Sequence, residues 1–131
     1  MKISFDFDDT LSKKEIQNLA RILIKGGAEV WVVTARSEDR IFEDGKIIGN
    51  RNYNADVRRV CEDLGIPEER IIFTDGSFKE HTYFSKDMDF HFDDRYDEVE
   101  KINRRGGNSL LVGMSIYAIA NEIDLGNLDK I

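Results

Sequence analysis

One cysteine, one proline and no long apolar run mark this 131-residue chain. A lone Cys61 excludes an internal disulfide framework and a Cys-rich zinc site; it fits a reducing compartment, where it packs as a small hydrophobe. No apolar stretch approaches the roughly 18 residues of a membrane span, and Asp6, Asp8 and Asp9 interrupt the apolar core that a signal peptide would need. The expected location is the cytoplasm. Excess positive charge is also lacking. With 19 Lys+Arg against 26 Asp+Glu the net charge is −7, so overall charge does not draw the chain to nucleic acid or anionic membrane, although a local basic site remains open. Repeats, low-complexity tracts and linkers are absent, and 40% apolar residues suit one folded domain over residues 1–131.

What is present alternates between two periods. Ile3, Phe5 and Phe7 alternate within Met1–Phe7, a strand whose C-terminal end carries Asp6, Asp8 and Asp9. Ile16, Leu19, Ala20 and Leu23 recur at helical spacing over Lys13–Lys25, with Ser12 as the expected N-cap and Gly26-Gly27 as the stop. Val30–Val33 suits a strand buried on both faces. Asn54 is the expected cap of a helix carrying Val57, Val60, Cys61 and Leu64, closed by Gly65 and Pro67. Ile71–Phe73 is a third strand. A short segment, Phe78–Phe84, precedes a fourth strand, Met88–Phe92, which ends in Asp93-Asp94. Tyr96, Val99 and Ile102 form a last helical face before Gly106-Gly107, Ser109–Val112 is a fifth strand, and Ser115–Ile131 is read as a helical, then frayed, tail. The expected fold is α/β: a three-layer sandwich around a five-stranded parallel sheet, Rossmann-like, with its site at the strands' C-terminal ends near the switch point. Arg36–Tyr53 lacks a clear period, and its Asp44-Gly45 suggests a hairpin or a functional loop.

Asp6 and Asp8 stand at i and i+2, so they share a side if the chain stays extended. Two close carboxylates raise each other's pKa unless a cation intervenes, which favours either Mg²⁺ binding or acid–base work. Thr34-Ala35-Arg36 ends the second strand with a hydroxyl and a guanidinium, both suited to phosphate oxygens. Asp93-Asp94 brings two more acids to the same edge, and an all-oxygen cluster points to Mg²⁺ rather than zinc. His81 and His91 lack partners at metal-ligand spacing, and His91, inside a strand, is expected to be packed or hydrogen-bonded. Trp31, among valines, reads as core. Asp9 and Asp75 read as solvated turns.

In this order the residues resemble the haloacid dehalogenase-like phosphatase superfamily. Its first motif, an apolar strand then Asp-x-Asp-x-Thr-Leu, stands as Ile3–Leu11; its second, an apolar strand ending in Thr or Ser, as Val30–Thr34; its fourth, an apolar strand ending in paired acids, as Asp89–Asp94. The resemblance runs from Ile3 to about Val112. It implies that Asp6 is the nucleophile forming an aspartyl-phosphate, that Asp8 is the general acid and base, and that Thr34 holds phosphoryl oxygens. It places Mg²⁺ on the Asp6 carboxylate, the Asp8 carbonyl and the Asp93-Asp94 pair, with Asp94 direct and Asp93 supporting. The third motif is one lysine that normally opens a helix before the fourth strand. Lys79 leaves 13 residues before Asp93 and Lys86 only six; six hold little more than the strand, so Lys79 is chosen.

Cap insertions typical of the superfamily do not fit: 23 residues separate Thr10 from Thr34, and 44 separate Thr34 from Lys79. The chain reads as capless, and open sites of this kind tend to act on macromolecules or to be covered by a second subunit. Thr34-Ala35-Arg36, the polar loop and the Lys79-Glu80 helix also look similar to the 3′-phosphatase domain of phage-type polynucleotide kinase-phosphatases. That likeness implies that Arg36 engages the phosphate and that the substrate is a nucleic-acid 3′-phosphate end or a nucleotide; sugar and other small phosphates are the alternative. Six basic residues against five acids between Arg36 and Arg59 do not decide between them. Two other classes fare worse. A receiver-type phosphoacceptor module would use Asp75 but would need a threonine and a lysine at the fourth and fifth strand ends; a catalytically silent binding protein would have lost a required residue. Membrane partners are not expected.

Overall fold

The computed structural model of the chain describes residues 1–38, 40–49 and 53–112. In chain order it contains β1 (Lys2–Phe5), α1 (Lys14–Lys25), β2 (Glu29–Thr34), β3 (Arg40–Glu43), β4 (Lys46–Gly49), α2 (Ala55–Leu64), β5 (Ile71–Phe73), α3 (Glu80–Ser85), β6 (Phe90–Asp93), α4 (Tyr96–Arg104) and β7 (Ser109–Leu111). The expected tail, Ser115–Ile131, lies outside the described residues. Among those described, no helix is long and apolar enough to cross a membrane.

The five-stranded sheet has the order β5-β2-β1-β6-β7 and every pair in it is parallel. From β1 the chain builds outward to β2 and β5 on one side, then to β6 and β7 on the other. The order therefore reverses beside β1, and a crevice opens at the C-terminal ends there. The α/β fold with a five-stranded parallel sheet flanked by helices is as the sequence implied.

The pleat sorts β1 into two faces. Ile3 and Phe5 join the larger core with Val30, Val32, Phe90 and Phe92, covered by Ala20 of α1 and by Val57, Cys61 and Leu64 of α2. Phe5 stacks on Phe92 at 4.8 Å. Each such side chain contributes about 1.5–3 kcal/mol by leaving water. The opposite face packs Trp31 against Tyr83, Met88 and Ile102. Trp31 is only half-buried; its indole N–H donates to Glu29 Oε2 at 2.8 Å, so it borders the core rather than filling it.

Several boundaries differ from the expected ones. The first strand stops at Phe5 rather than Phe7, because a tight turn over Phe7–Leu11 begins there, with Asp9 at φ 56°. The fourth starts at Phe90 rather than Met88 and runs to Asp93. Ser12 does not cap α1: its Oγ accepts the Asp9 N–H within that turn (3.1 Å), and Lys13 flanks the helix without a capping bond. Asn54 flanks α2 but does not cap it; fully buried, it donates Nδ2–H to the Ser37 carbonyl at 3.0 Å. The region Arg36–Tyr53 contains a hairpin, β3 against β4, with Glu43 opposite Lys46. Asp44 (φ 50°) and Gly45 (φ 73°) supply the two left-handed positions its two-residue turn demands.

Candidate active site

The face of the sheet that carries Ser4 also carries Asp6, two residues on. Ser4 pairs with His91 across the parallel ladder, and Asp93 follows His91 by the same two-residue step. One polar row thus runs along this face to its C-terminal edge. Ser4 Oγ lies 2.7 Å from His91 Nδ1, and His91 Nε2 lies 2.8 Å from Asp93 Oδ2. Lys79, at the head of α3, closes the row: its Nζ donates to Asp6 Oδ1 at 2.8 Å and to Asp93 Oδ2 at 2.7 Å. Glu98 of α4 lies beneath it, accepting the Lys79 backbone N–H at 3.1 Å and standing 3.6 Å from Nζ. All these side chains are buried, Lys79 to 2% exposure.

One ammonium serves several acids here. Burial, then the neighbouring Asp94 carboxyl, push Asp6 up to about 8 against the pull of Lys79. Burial works the same way on Asp93, but His91 and Lys79 outweigh it and hold Asp93 below its ordinary value. Burial alone would lower Lys79; Asp6 and Asp93 overcome that and raise it. The protein by itself therefore supplies too little positive charge to ionise every acid at this edge.

Asp6, Asp93 and Asp94 each offer a carboxylate oxygen, all within 4.8 Å of one another, a grouping able to hold a metal ion. The three do not contribute alike. Asp93 Oδ2 already accepts from Lys79 and His91, and Oδ1 from the Arg95 N–H at 3.1 Å. Asp94 has a long contact from Thr10 Oγ1, 3.5 Å, and the neighbouring Asp6 carboxyl, so among the described residues it is less committed than Asp93. Hard oxygen donors and an uncompensated acid suit a divalent cation.

Asp8 takes another course. It is exposed, and its carboxylate is not one of the group formed by Asp6, Asp93 and Asp94. Arg36 grips it with Nε to Oδ2 at 2.9 Å and Nη2 to Oδ1 at 2.7 Å. The same guanidinium holds Asp56 through Nη1 and Nη2, both at 2.8 Å, reaches Asn54 Oδ1 at 3.4 Å, and covers the Phe7 ring at 5.1 Å. All five N–H donors of Arg36 are engaged; hydrogen bonds to Asp8 and then Asp56 hold it above its ordinary value. The convergence of the Asp6 and Asp8 carboxylates expected from an extended strand is not observed.

Thr34 is buried at the end of β2, its Oγ1 accepting the Arg36 N–H at 3.3 Å. Ala35 and Arg36 follow it on the turn, where the Ala35 carbonyl accepts the Gly76 N–H at 2.8 Å. Lys86 closes α3 on the other side, its carbonyl accepting from Lys2 Nζ at 3.1 Å, far along the strands from the acids. Asp9 and Asp75 are exposed, Asp75 hydrogen-bonded by Ser37. His81 is exposed. Sequence reasoning missed Glu98, Thr10 and Asp56 as parts of this arrangement. Only Thr10 carried a signal, its place behind the first acids.

No protein-family model matches the chain, and no curated protein matches it.

Proposed function

We propose that this chain is a Mg²⁺-dependent phosphomonoester hydrolase of the haloacid dehalogenase-like type, acting on nucleic-acid 3′-phosphate ends or nucleotides. The observation that carries this reading is Asp6: a buried carboxylate beside Lys79, grouped with Asp93 and Asp94, at the switch point of a parallel sheet. Asp6 and Asp94 would hold the metal directly, with the Asp8 carbonyl. Asp93, already bonded, would support them. Bound there, Mg²⁺ supplies the charge that keeps Asp6 ionised and neutralises phosphoryl oxygens.

The chain's own groups account for the rest. Asp6 attacks phosphorus and the ester P–O bond breaks; Asp8, paired with Arg36 as a carboxylate in the free protein, takes up a proton from solvent and passes it to the leaving oxygen. Asp8, now a carboxylate, takes a proton from water; that water attacks the aspartyl-phosphate and releases phosphate and Asp6. Thr34 and Lys79 hold phosphoryl oxygens through the transfer. Acid–base help contributes only about 10²–10⁴, so the covalent step and the fixed positive charge carry most of the acceleration. A single buried cysteine suits work in the cytoplasm.

The test is Mg²⁺-dependent phosphate release from a 3′-phosphorylated oligonucleotide, a 3′-nucleoside monophosphate and p-nitrophenyl phosphate, beside Asp6→Asn. Release that vanishes with chelator and in Asp6→Asn, with the circular-dichroism spectrum retained, is expected. Chelator-insensitive turnover, or turnover kept by the variant, overturns the mechanism; turnover of sugar phosphates alone overturns the substrate class.

A further inference from the structure

Beside Asp8 lies an open cleft of about 630 Å³, lined by Asp8, Arg36, Tyr53, Ala55, Asp56 and Arg59. Its charges are unequally committed. Arg36 spends every donor on Asp8, Asp56 and Asn54, so those two carboxylates are already countered. Arg59 is exposed and makes no ion pair or hydrogen bond among the described residues. Among the described residues of the lining it is therefore the one cation free for a ligand. Tyr53 is 50% exposed and lines the same cleft; its aromatic ring is large enough to stack a planar ring. Ala55 and Asp56 of the first turn of α2 line the cleft as well, and the positive end of a ten-residue helix favours an anion.

We infer that this cleft binds a nucleotidyl leaving group, its base stacked on Tyr53 and a second phosphate, not the one hydrolysed, on Arg59. This rests on the phosphatase reading, which puts the leaving oxygen at Asp8, and it adds the side on which the substrate extends. A sugar phosphate would use neither group. A free nucleoside 3′,5′-bisphosphate and a 3′-phosphorylated chain end share this chemistry, because each carries a phosphate on the far side of the sugar.

Two measurements test it. The first is equilibrium binding of adenosine 5′-monophosphate, which has the base and the second phosphate but no 3′-phosphate, to the wild-type chain, Tyr53→Ala and Arg59→Gln. Both positions are exposed, so both variants should fold as the parent does. Each substitution should weaken binding about tenfold or more. The second is the ratio of kcat/KM for a 3′-phosphorylated oligonucleotide to that for p-nitrophenyl phosphate, with adenosine 3′,5′-bisphosphate in parallel; the ratio should fall by a similar factor in each variant. A larger kcat/KM for the oligonucleotide than for the bisphosphate makes the chain end the source of the ligand, the reverse makes it the free nucleotide, and either supports the subsite. Binding that is absent, or equal in all three proteins, while p-nitrophenyl phosphate is hydrolysed overturns the subsite and leaves the phosphatase reading standing. Binding weakened by the variants with no ester hydrolysed supports the subsite and overturns the phosphatase reading.

Discussion

The ammonium of Lys79 stands 2.8 Å from Asp6 Oδ1, joining residues 73 apart in sequence within a pocket from which water is nearly excluded. The same ammonium is 2.7 Å from Asp93. Because burial penalises each charge, the group of Lys79, Asp6, Asp93 and Glu98 persists only while its members answer one another.

Lys79→Met should therefore destabilise the fold by about 3–5 kcal/mol, the cost of leaving buried acids uncompensated. Urea unfolding measures it. Adding Asp93→Asn to Lys79→Met should recover part of the loss, since it removes one orphaned charge; a double variant less stable than the single would contradict this account.

The pH dependence follows from Asp6, which is raised from 3.8 to about 8 in the folded chain. Between those values the unfolded chain has lost a proton that the folded one keeps. Stability from this group is thus full below about 4 and is lost as pH rises through about 8. Asp93 is shifted the other way; its contribution is present above its unfolded value and disappears only at lower pH. Urea midpoints measured with chelator from pH 5 to 8.5 should fall steadily. With Mg²⁺ present the decline should flatten, and Mg²⁺ affinity should rise with pH across the same range, because binding displaces the Asp6 proton.

Arg36→Lys tests the two-armed grip on Asp8. A point-like ammonium cannot reproduce the paired bonds to Asp8 and Asp56. If Asp8 is the acid and base, losing its anchor should lower kcat about 10- to 100-fold with little change in KM for p-nitrophenyl phosphate. Steady-state kinetics that show KM alone rising would instead make Arg36 a substrate contact.

Gly107 has no room for a side chain. A β-carbon there would stand 2.6 Å from Ile102 Cγ2 and 2.7 Å from Tyr83 Cε1. Gly107→Ala should cost about 1–3 kcal/mol by thermal or urea unfolding. Ile102→Ala removes that Cγ2, so the double variant Gly107→Ala with Ile102→Ala should lose less than the sum of the two single losses.

Periodicity and strand-end chemistry are local properties, and they made the parallel sheet and the acidic edge legible in the sequence. Alternating Ile3 and Phe5, the run Val30–Val33 and the acids at Asp93-Asp94 each encode a strand and its terminus within a few residues. Spacing even separated Lys79 from Lys86, because a chain segment has a fixed reach per residue. The departures came where a side chain had two competing partners. Ser12 and Asn54 have the chemistry of helix caps, yet the turn at Asp9 took the first and the distant Ser37 carbonyl the second. Asp8 sits at the right interval from Asp6 for a shared face, yet the turn at Phe7 and the guanidinium of Arg36 redirected it. Sequence by itself determined that Asp6, Thr34, Asp93 and Asp94 stand at the C-terminal edge of the sheet. Only the tertiary structure decided which acids face one another there, that Glu98 and His91 support them from α4 and β6, and that Arg59, beside Tyr53, has no ion pair among the described residues. The reason is physical: hydrogen bonds and ion pairs between distant segments are won by burial and geometry after the strands have paired, and no local pattern records the outcome.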